Sequence, residues 1–278
     1  MSVCVVTGSG KGIGLEVVKL LLSCSTFDFV YLTTRSSERG NEIITQLSKE
    51  YGSSKLCFHL LDITKSESCI ALKSHFLRLG LRISVLINNA AIAFPKQTSK
   101  PIPERIEETV ANNYYGTVNM TDVLEDVIQD GGRIINVSSS LTNLNCIPSH
   151  WKLLFLEQEF AANDISNLLS DYISAGRKLR HKQAGFTASP YTISKVAINL
   201  FTKFKQKQLK DRNIFVAAIC PGWCKTDLGG WIAPPRSARE GAENIVWIAT
   251  DRNIKLNHEV VYKDYEILNW TDFENKKD

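Results

Sequence analysis

Tyr191 and Lys195 stand four residues apart, a spacing that puts two side chains on one helical face, one above the other. A phenol ordinarily titrates near pH 10, and an ammonium beside it stabilises the phenolate, so the pair can hand a proton to an alkoxide developing on a substrate carbonyl. Ser139 offers a second hydrogen bond to that oxygen as charge accumulates, or it caps a turn. The other group able to do chemistry is Thr7-Gly8-Ser9-Gly10-Lys11-Gly12-Ile13-Gly14. Glycines of this kind make a tight turn and let backbone approach a pyrophosphate seated on a helix N-terminus.

Each motif needs an element to hold it. Tyr191 follows Pro190, a first-turn proline, and opens the apolar series Ile193, Val196, Ala197, Leu200, Phe201, Phe204, which predicts a helix. A second copy of the spacing, Tyr51 to Lys55, encloses Gly52-Ser53-Ser54, a turn signal that predicts no helix between them. Short apolar runs alternate with amphipathic stretches, as in parallel βαβ units. The expected strands are Val3–Thr7, Phe29–Thr34, Leu56–Leu61, Val85–Asn88, Arg133–Ser138, Ile214–Cys220 and Glu259–Tyr262, with helices including Gly14–Ser23, Ser66–Leu79, Ile102–Val127 and Ala238–Ala249. The fold class is α/β: a doubly wound parallel sheet (Rossmann fold) of about seven strands, in which ligands bind beyond the C-terminal strand ends. Residues 142–188 interrupt the rhythm with helical pattern and no strand signal, an insertion before Tyr191 packed on the outside. Its apolar series, Trp151, Leu153, Leu154, Phe155, Leu156, Phe160, Ile165, Leu168, Leu169, Tyr172 and Ile173, must bury itself, and the helix of Ile102–Val127 is the nearest cover. The whole, residues 1–278, reads as one domain.

Composition excludes more than it selects. The net charge of +4 is weak, and basic residues are dispersed apart from Arg177-Lys178-Leu179-Arg180-His181-Lys182, read as a solvated helix end; nucleic acid is not an expected partner. The 7 cysteines form no C-x-x-C pair and no metal spacing, so no metal is expected and a reducing compartment fits. No secretory pattern or membrane-length apolar run is visible, so the expected location is cytoplasmic, with no membrane partner.

About 20 residues beyond the glycine loop, where a fold selecting NAD offers an acid to the ribose, this chain has Thr34-Arg35-Ser36. A guanidinium and a hydroxyl suit a 2′-phosphate, with Lys11 as a second cation, although Arg35 could instead be a solvated loop residue.

Taken in order, Thr7-Gly8-x-x-x-Gly12-x-Gly14, Asp62-Ile63, Asn88-Asn89-Ala90, Asn113, Asn136-x-x-Ser139, Tyr191-x-x-x-Lys195 and Pro221-Gly222-x-x-x-Thr226 resemble the short-chain dehydrogenase/reductase family over nearly the whole chain. The resemblance implies a tetrad of Asn113, Ser139, Tyr191 and Lys195, with Tyr191 as acid, Ser139 as oxyanion partner, Lys195 on the nicotinamide ribose and Asn113 at a helix site holding a relay water. It implies cofactor contacts from Gly8, Ser9, Gly10, Lys11, Gly12, Ile13, Gly14, Arg35, Ser36, Asp62, Ile63, Asn89, Ala90, Tyr191, Lys195, Pro221, Gly222 and Thr226. More narrowly, Lys11-Gly12-Ile13-Gly14, Asn113-Tyr114-Tyr115-Gly116-Thr117, Pro221-Gly222-Trp223 and the insertion are similar to the monomeric NADPH-dependent carbonyl reductases. The implied activity is reduction of quinones, aldehydes and ketones, including prostaglandin-type ketones, by NADPH/NADP+ chemistry in a monomer. The alternatives are oxidation of an alcohol or steroid on the same scaffold, and a non-catalytic NADP-binding sensor.

Position alone adds Leu141, Trp223 and Trp231 to Ser139 and Tyr191 as substrate contacts, against ordinary core packing for the aromatics. Ala91 stands where the family usually has glycine; a position there requiring positive φ would cost the methyl about 1–2 kcal/mol. Cys220 and Cys224 flank Pro221-Gly222-Trp223 as candidate modifiable thiols, with Cys220 also readable as an inert strand residue.

Overall fold

A computed structural model describes residues 1–24, 26–95, 97–157, 159–254 and 260–271. In chain order the elements are β1 (Val3–Val6), α1 (Gly12–Ser23), β2 (Phe29–Thr34), α2 (Ser37–Tyr51), β3 (Leu56–Leu60), α3 (Ser66–Leu79), β4 (Ile83–Asn88), α4 (Ile102–Val110), α5 (Gly116–Leu124) and β5 (Ile128–Val137). There follow α6 (Ser149–Glu157), α7 (Ala162–Arg177), α8 (Pro190–Gln208), β6 (Phe215–Cys220), α9 (Ala238–Thr250), β7 (Val261–Lys263) and β8 (Glu266–Ile267). The strands form one sheet in the order β3-β2-β1-β4-β5-β6-β7-β8, parallel up to β7. The order reverses between β1 and β4, which places a crevice at their C-terminal ends.

Both faces of the sheet are covered, so its central strands are apolar throughout rather than alternating. In β1, Cys4 and Val6 face a core built with Val17, Val18 and Leu21 of α1, Leu47 of α2 and Ile245 of α9. Val3 and Val5 face the other way, onto Leu72 and Phe76 of α3 and Met120 and Leu124 of α5. The alternation is the period of two that a strand imposes.

Three expectations change, and one falls outside the described residues. The sheet has eight strands: Asp264 and Tyr265 both take positive φ (52° and 68°), making a tight hairpin that turns β8 back antiparallel on β7. The sequence lacks the Asn-Gly or Asp-Gly that usually marks such a turn. Glu259, expected to begin the last strand, lies outside the described residues. The helix of Ile102–Val127 is not uniform, because α4 gives way to a π-helical turn at Ala111–Tyr115 before α5, which then tightens into a 3₁₀ turn at Glu125–Val127. Leu153 and Leu156 stay exposed and Trp151, Leu154, Phe160 and Ile173 are partly buried, whereas Phe155, Ile165, Leu168, Leu169 and Tyr172 share a core with Ile106, Val110 and Tyr114 of the α4 stretch and with α8. At the closest approach of α7 to α4, a Cβ on Gly176 would lie 2.4 Å from Ile106 Cδ1.

α2 ends on Tyr51, with Gly52 at φ 79° as its cap, so Tyr51 and Lys55 share no helical face. Ala91 is absent from the residues with positive φ, so its methyl carries no strain of the anticipated kind.

Candidate active site

The glycine loop sits on the switch point. Gly8 takes φ 61°, and a Cβ there would come within 2.8 Å of Ala90 Cα, so the loop after β4 lies directly on it. Gly14 packs as closely: a Cβ would lie 2.4 Å from Asn89 Nδ2 and 2.8 Å from Gly8 O. Asn89 earns that proximity by donating to Thr7 O at 2.9 Å and Gly8 O at 3.2 Å, and its own N–H donates to Thr7 Oγ1 at 2.9 Å. The Ser9 hydroxyl is fully buried, donating to Val6 O at 2.9 Å and accepting from Thr33 N–H, so Ser9 can offer a ligand only backbone. α1 starts at Gly12 without a side-chain cap and without an acid in its first turn. Its open N–H groups and dipole favour an anion. This cradle fits a dinucleotide pyrophosphate.

Arg35 is exposed just beyond β2. The Ser36 hydroxyl caps α2, accepting from Arg39 N–H at 3.1 Å and donating to Glu38 Oε2 at 2.8 Å. Lys11 is held by Asp227, Nζ to Oδ2 2.5 Å, across the cleft between the glycine loop and the loop after β6. Arg39, which the sequence reading passed over, sends Nε to Gly10 O at 3.2 Å and so places a guanidinium beside the glycine loop. Its one sequence signal is that it lies four residues beyond Arg35, one turn into α2. Asp62 closes the turn after β3, accepting from Thr64 N–H and hydroxyl; Ile63 beside it is buried and packs against Gly116. Thr226 is buried opposite Gly12, where a Cβ would meet its Cγ2 at 3.4 Å.

The four residues of the expected tetrad come from two helical elements and one strand end. Ser189 caps α8 by accepting from Thr192 N–H at 3.2 Å, and Pro190 fills the first turn, which fixes Tyr191 and Lys195 on one face. Lys195 Nζ lies 5.6 Å from the Tyr191 ring centre and donates to Val137 O at 2.6 Å, at the end of β5. Ser139, two residues on, caps a turn: its hydroxyl accepts from Leu141 N–H at 3.2 Å beside the same strand end. Asn199 of α8 holds that turn, accepting from Ser138 Oγ at 2.5 Å and donating to Thr142 Oγ1, which in turn donates to Ser139 O. Asn113 lies in the π turn. Its amide donates to Ile92 O at 2.9 Å and Ser194 Oγ at 3.0 Å, and accepts from Ile92 N–H, so both amide hydrogens are committed to protein. Below, Asn88 donates to Asn136 Oδ1 and Thr121 Oγ1, and Asn136 to Thr202 Oγ1, a buried polar chain joining β4, β5, α5 and α8. Ser194, Asn199 and Thr202 were missed in the sequence because each looks like an ordinary polar residue there; only the fold shows them buried.

Burial decides the protonation states. It pushes the Tyr191 phenol well above its usual value, with Cys220 nearby adding to the rise, and it pulls Lys195 down from 10.5 to about 8. In the cofactor-free chain burial thus favours the protonated phenol of Tyr191. A lysine lowered in the folded state costs stability wherever it is charged. Below about pH 8 that cost is fully present; between about 8 and 10.5 the unfolded chain holds more protons, and stability rises with pH. Lys195→Met should therefore melt higher than wild type at pH 7, by a margin that shrinks towards pH 10. An unchanged margin would show that Lys195 keeps its charge throughout.

Leu141, Trp223 and Trp231 are all exposed, so none of them is core. Trp223 Nε1 donates to Gly229 O at 2.8 Å, fixing the loop that follows Pro221-Gly222, and Leu228 and Ile232 add further exposed apolar surface to it. Cys220 and Cys224 are buried, and burial pushes Cys224 up to about 11, a poor thiolate. All seven cysteines are free thiols. Among the described residues no group of three or more His, Cys, Asp or Glu could hold a metal, and no helix is long and apolar enough to cross a membrane.

A family profile for short chain dehydrogenase matches residues 2–148 and 180–235, leaving out most of the insertion. The chain is 33% identical to carbonyl reductase (NADPH) 1 of Rattus norvegicus over 254 residues, covering 89% of this chain and 90% of the relative, and 32% identical to that of Homo sapiens over 253 residues with the same coverage. Salutaridine reductase from Papaver somniferum superposes with a TM-score of 0.83 at 25% identity, covering 95% of this chain and 100% of that one. The NADPH-bound carbonyl reductase from chicken fatty liver shares the fold, with a TM-score of 0.69 at 23% identity, over 96% and 98% of the two chains.

Proposed function

From the premise that this chain belongs to the short-chain dehydrogenase family, we propose that it is an NADPH-dependent carbonyl reductase acting on quinones, aldehydes and ketones. The observation that supports this reading is that Tyr191 and Lys195 share one face of α8 and Lys195 donates to Val137 O at the end of β5, two residues before Ser139, across the switch point from the open N-terminus of α1. The nicotinamide, when bound, supplies the hydride. Tyr191 gives its proton to the carbonyl oxygen, and Ser139 donates a second hydrogen bond to the same atom. Lys195, anchored on Val137 O, holds positive charge near the phenol as it becomes phenolate. Asn113 is a positioning residue in this account: it ties the loop after β4 to α8. Leu141, Trp223 and Trp231 supply apolar surface for the substrate. Asp62, Ile63, Asn89, Ala90, Pro221, Gly222 and Thr226 line the cofactor's path.

Arg35 and Arg39 together read the 2′-phosphate, with Lys11 free to join only by leaving Asp227. Arg39 pairs with Glu42 at 3.1 Å, and Glu38, bonded to the Ser36 hydroxyl, adds a second opposing charge nearby. Arg35→Asp should lower the NADPH-to-NADH ratio of kcat/KM about 10- to 100-fold, the worth of one charge-assisted hydrogen bond. An unchanged ratio would mean the phosphate is read elsewhere.

Residues 1–278 act in this reading as one domain, as a monomer, in the cytoplasm, where thiols stay reduced. Because the insertion occupies the outer faces of α4 and α8, sedimentation should give a single chain at micromolar concentration, and replacing residues 142–188 with a short loop should produce association. A stable wild-type dimer contradicts the monomer. The function itself is tested by NADPH consumption across quinones, aldehydes, steroids and prostaglandin-type ketones. Activity only in the direction of alcohol oxidation would favour a dehydrogenase instead.

A further inference from the structure

The connection from β6 to α9, residues 221–237, is longer than most, and it carries Gly222, Trp223, Thr226 and Trp231 past the C-terminal end of β6, beside that of β5. Among the described residues two ion pairs tie it to the rest of the fold. Lys11 and Asp227 make one; both side chains are mostly exposed, where such a pair contributes little. Arg236 and Asp264 make the other, and it is two-pronged: Nη1 donates to Oδ1 at 2.5 Å and Nη2 to Oδ2 at 2.8 Å.

Arg236 stands near the end of the connection but acts on its beginning. Its stem lies against Gly222, at φ 83°, where a Cβ would come within 2.8 Å of Arg236 Cδ. Its N–H donates to Trp223 O at 3.3 Å, and its carbonyl accepts from Lys225 N–H at 2.8 Å. The two ends of the connection are thus closed on each other, and Asp264 fixes them to the hairpin of β7 and β8, next to β6 in the sheet. That hairpin is not built in the easiest way. Tyr265 follows Asp264 with φ 68°, in the place where such turns usually carry glycine, and its ring is braced edge-on against Trp247 of α9 at 5.2 Å. Backbone in a rarely used region persists only where its surroundings over-determine it. What this turn delivers is the Asp264 carboxylate, whose bonds to the Arg236 guanidinium hold it below the usual carboxylate range.

On the reading that NADPH is the cofactor, we propose that Arg236 and Asp264 are positioning residues for its nicotinamide half. Pro221 to Thr226 continue β6, the neighbour of β5, where Val137 O anchors Lys195. The glycine loop and the end of β2, assigned to the adenine half, lie on the other side of the switch point. The pair keeps the nicotinamide wall in place before the cofactor arrives, so little of it has to be ordered on binding.

The test compares NADPH with 2′,5′-ADP, which keeps the 2′-phosphate and lacks the nicotinamide, by calorimetry on the full chain. Asp264→Asn removes the charge and one oxygen, and asparagine accepts left-handed backbone, so the hairpin stays. NADPH should bind about tenfold more weakly, the worth of a hydrogen bond to a charged group, while 2′,5′-ADP binds as it does to wild type. Arg236→Gln should repeat both results from the other side of the pair. Arg239→Gln, which removes a neighbouring cation paired within α9, should change neither. The proposal is overturned if Asp264→Asn and Arg236→Gln hold NADPH as tightly as wild type, if they weaken 2′,5′-ADP as much as NADPH, or if Arg239→Gln weakens NADPH equally. The second result would show a general loss of structure, and the third an unspecific effect of charge. In all three, wild type still binds NADPH and the cofactor reading stands. Wild type that binds neither ligand would remove that reading and the positioning role with it.

Discussion

Tyr191→Phe is expected to lower carbonyl reduction by about 100-fold or more while leaving the fold and NADPH affinity intact. The ring remains, half-buried at the start of α8, and Ser189 and Pro190 still begin the helix, so nothing that builds the element is removed. Only the proton goes. Burial favours the protonated phenol, which suits a donor in the reductive direction; under the proposed mechanism its replacement would leave the developing oxyanion with Ser139 as its remaining named partner. Turnover on a simple ketone and NADPH binding by fluorescence separate chemistry from binding. Near-normal turnover would take Tyr191 out of the mechanism. Tyr51→Phe, at the other copy of the spacing, should change nothing, since Lys55 has already left the helix there.

The second large effect should come from a substitution that local preference favours. Gly14 lies inside α1, where alanine would ordinarily stabilise a helix by about 1 kcal/mol. Close approach reverses the sign. The new methyl would lie 2.4 Å from Asn89 Nδ2, 2.8 Å from Gly8 O and 2.9 Å from Ser9 Cα, and two of those three are backbone atoms that cannot swing away. Accommodating it means moving the glycine loop and breaking the bonds of Asn89 to Thr7 O and Gly8 O. Gly14→Ala should therefore destabilise the chain by about 1–3 kcal/mol and weaken NADPH about tenfold or more. Melting temperature and cofactor Kd report the two parts. A variant as stable as wild type, with unchanged Kd, would show that Asn89 and the loop yield at no cost.

What the sequence revealed and what it hid divide along physical lines. Tyr191 and Lys195 were legible because capping is local: Ser189 and Pro190 announce the helix within two residues of the tyrosine. The glycine loop was legible because only glycine satisfies both the left-handed backbone at Gly8 and the approach of Ala90. The π turn at Ala111–Tyr115 was not, since its apolar period continues that of α4 and the widening shows only in backbone hydrogen bonds. β8 stayed hidden because Asp264 and Tyr265 adopt positive φ without the usual residues. Lys11 and Asp227 lie far apart in the chain, and no local pattern pairs them. Leu153 and Leu156 remind us that an apolar residue in an amphipathic series need not reach the core.

The central claim, that Tyr191 and Lys195 serve a reductive reaction fed by NADPH, is met most directly by counting. Wild-type protein, NADPH and a simple quinone or ketone should yield one reduced product for each NADPH consumed, with NADH a poor substitute and Tyr191→Phe nearly silent. NADPH bound tightly but not consumed with any carbonyl offered, or consumed equally well by Tyr191→Phe, would contradict the account.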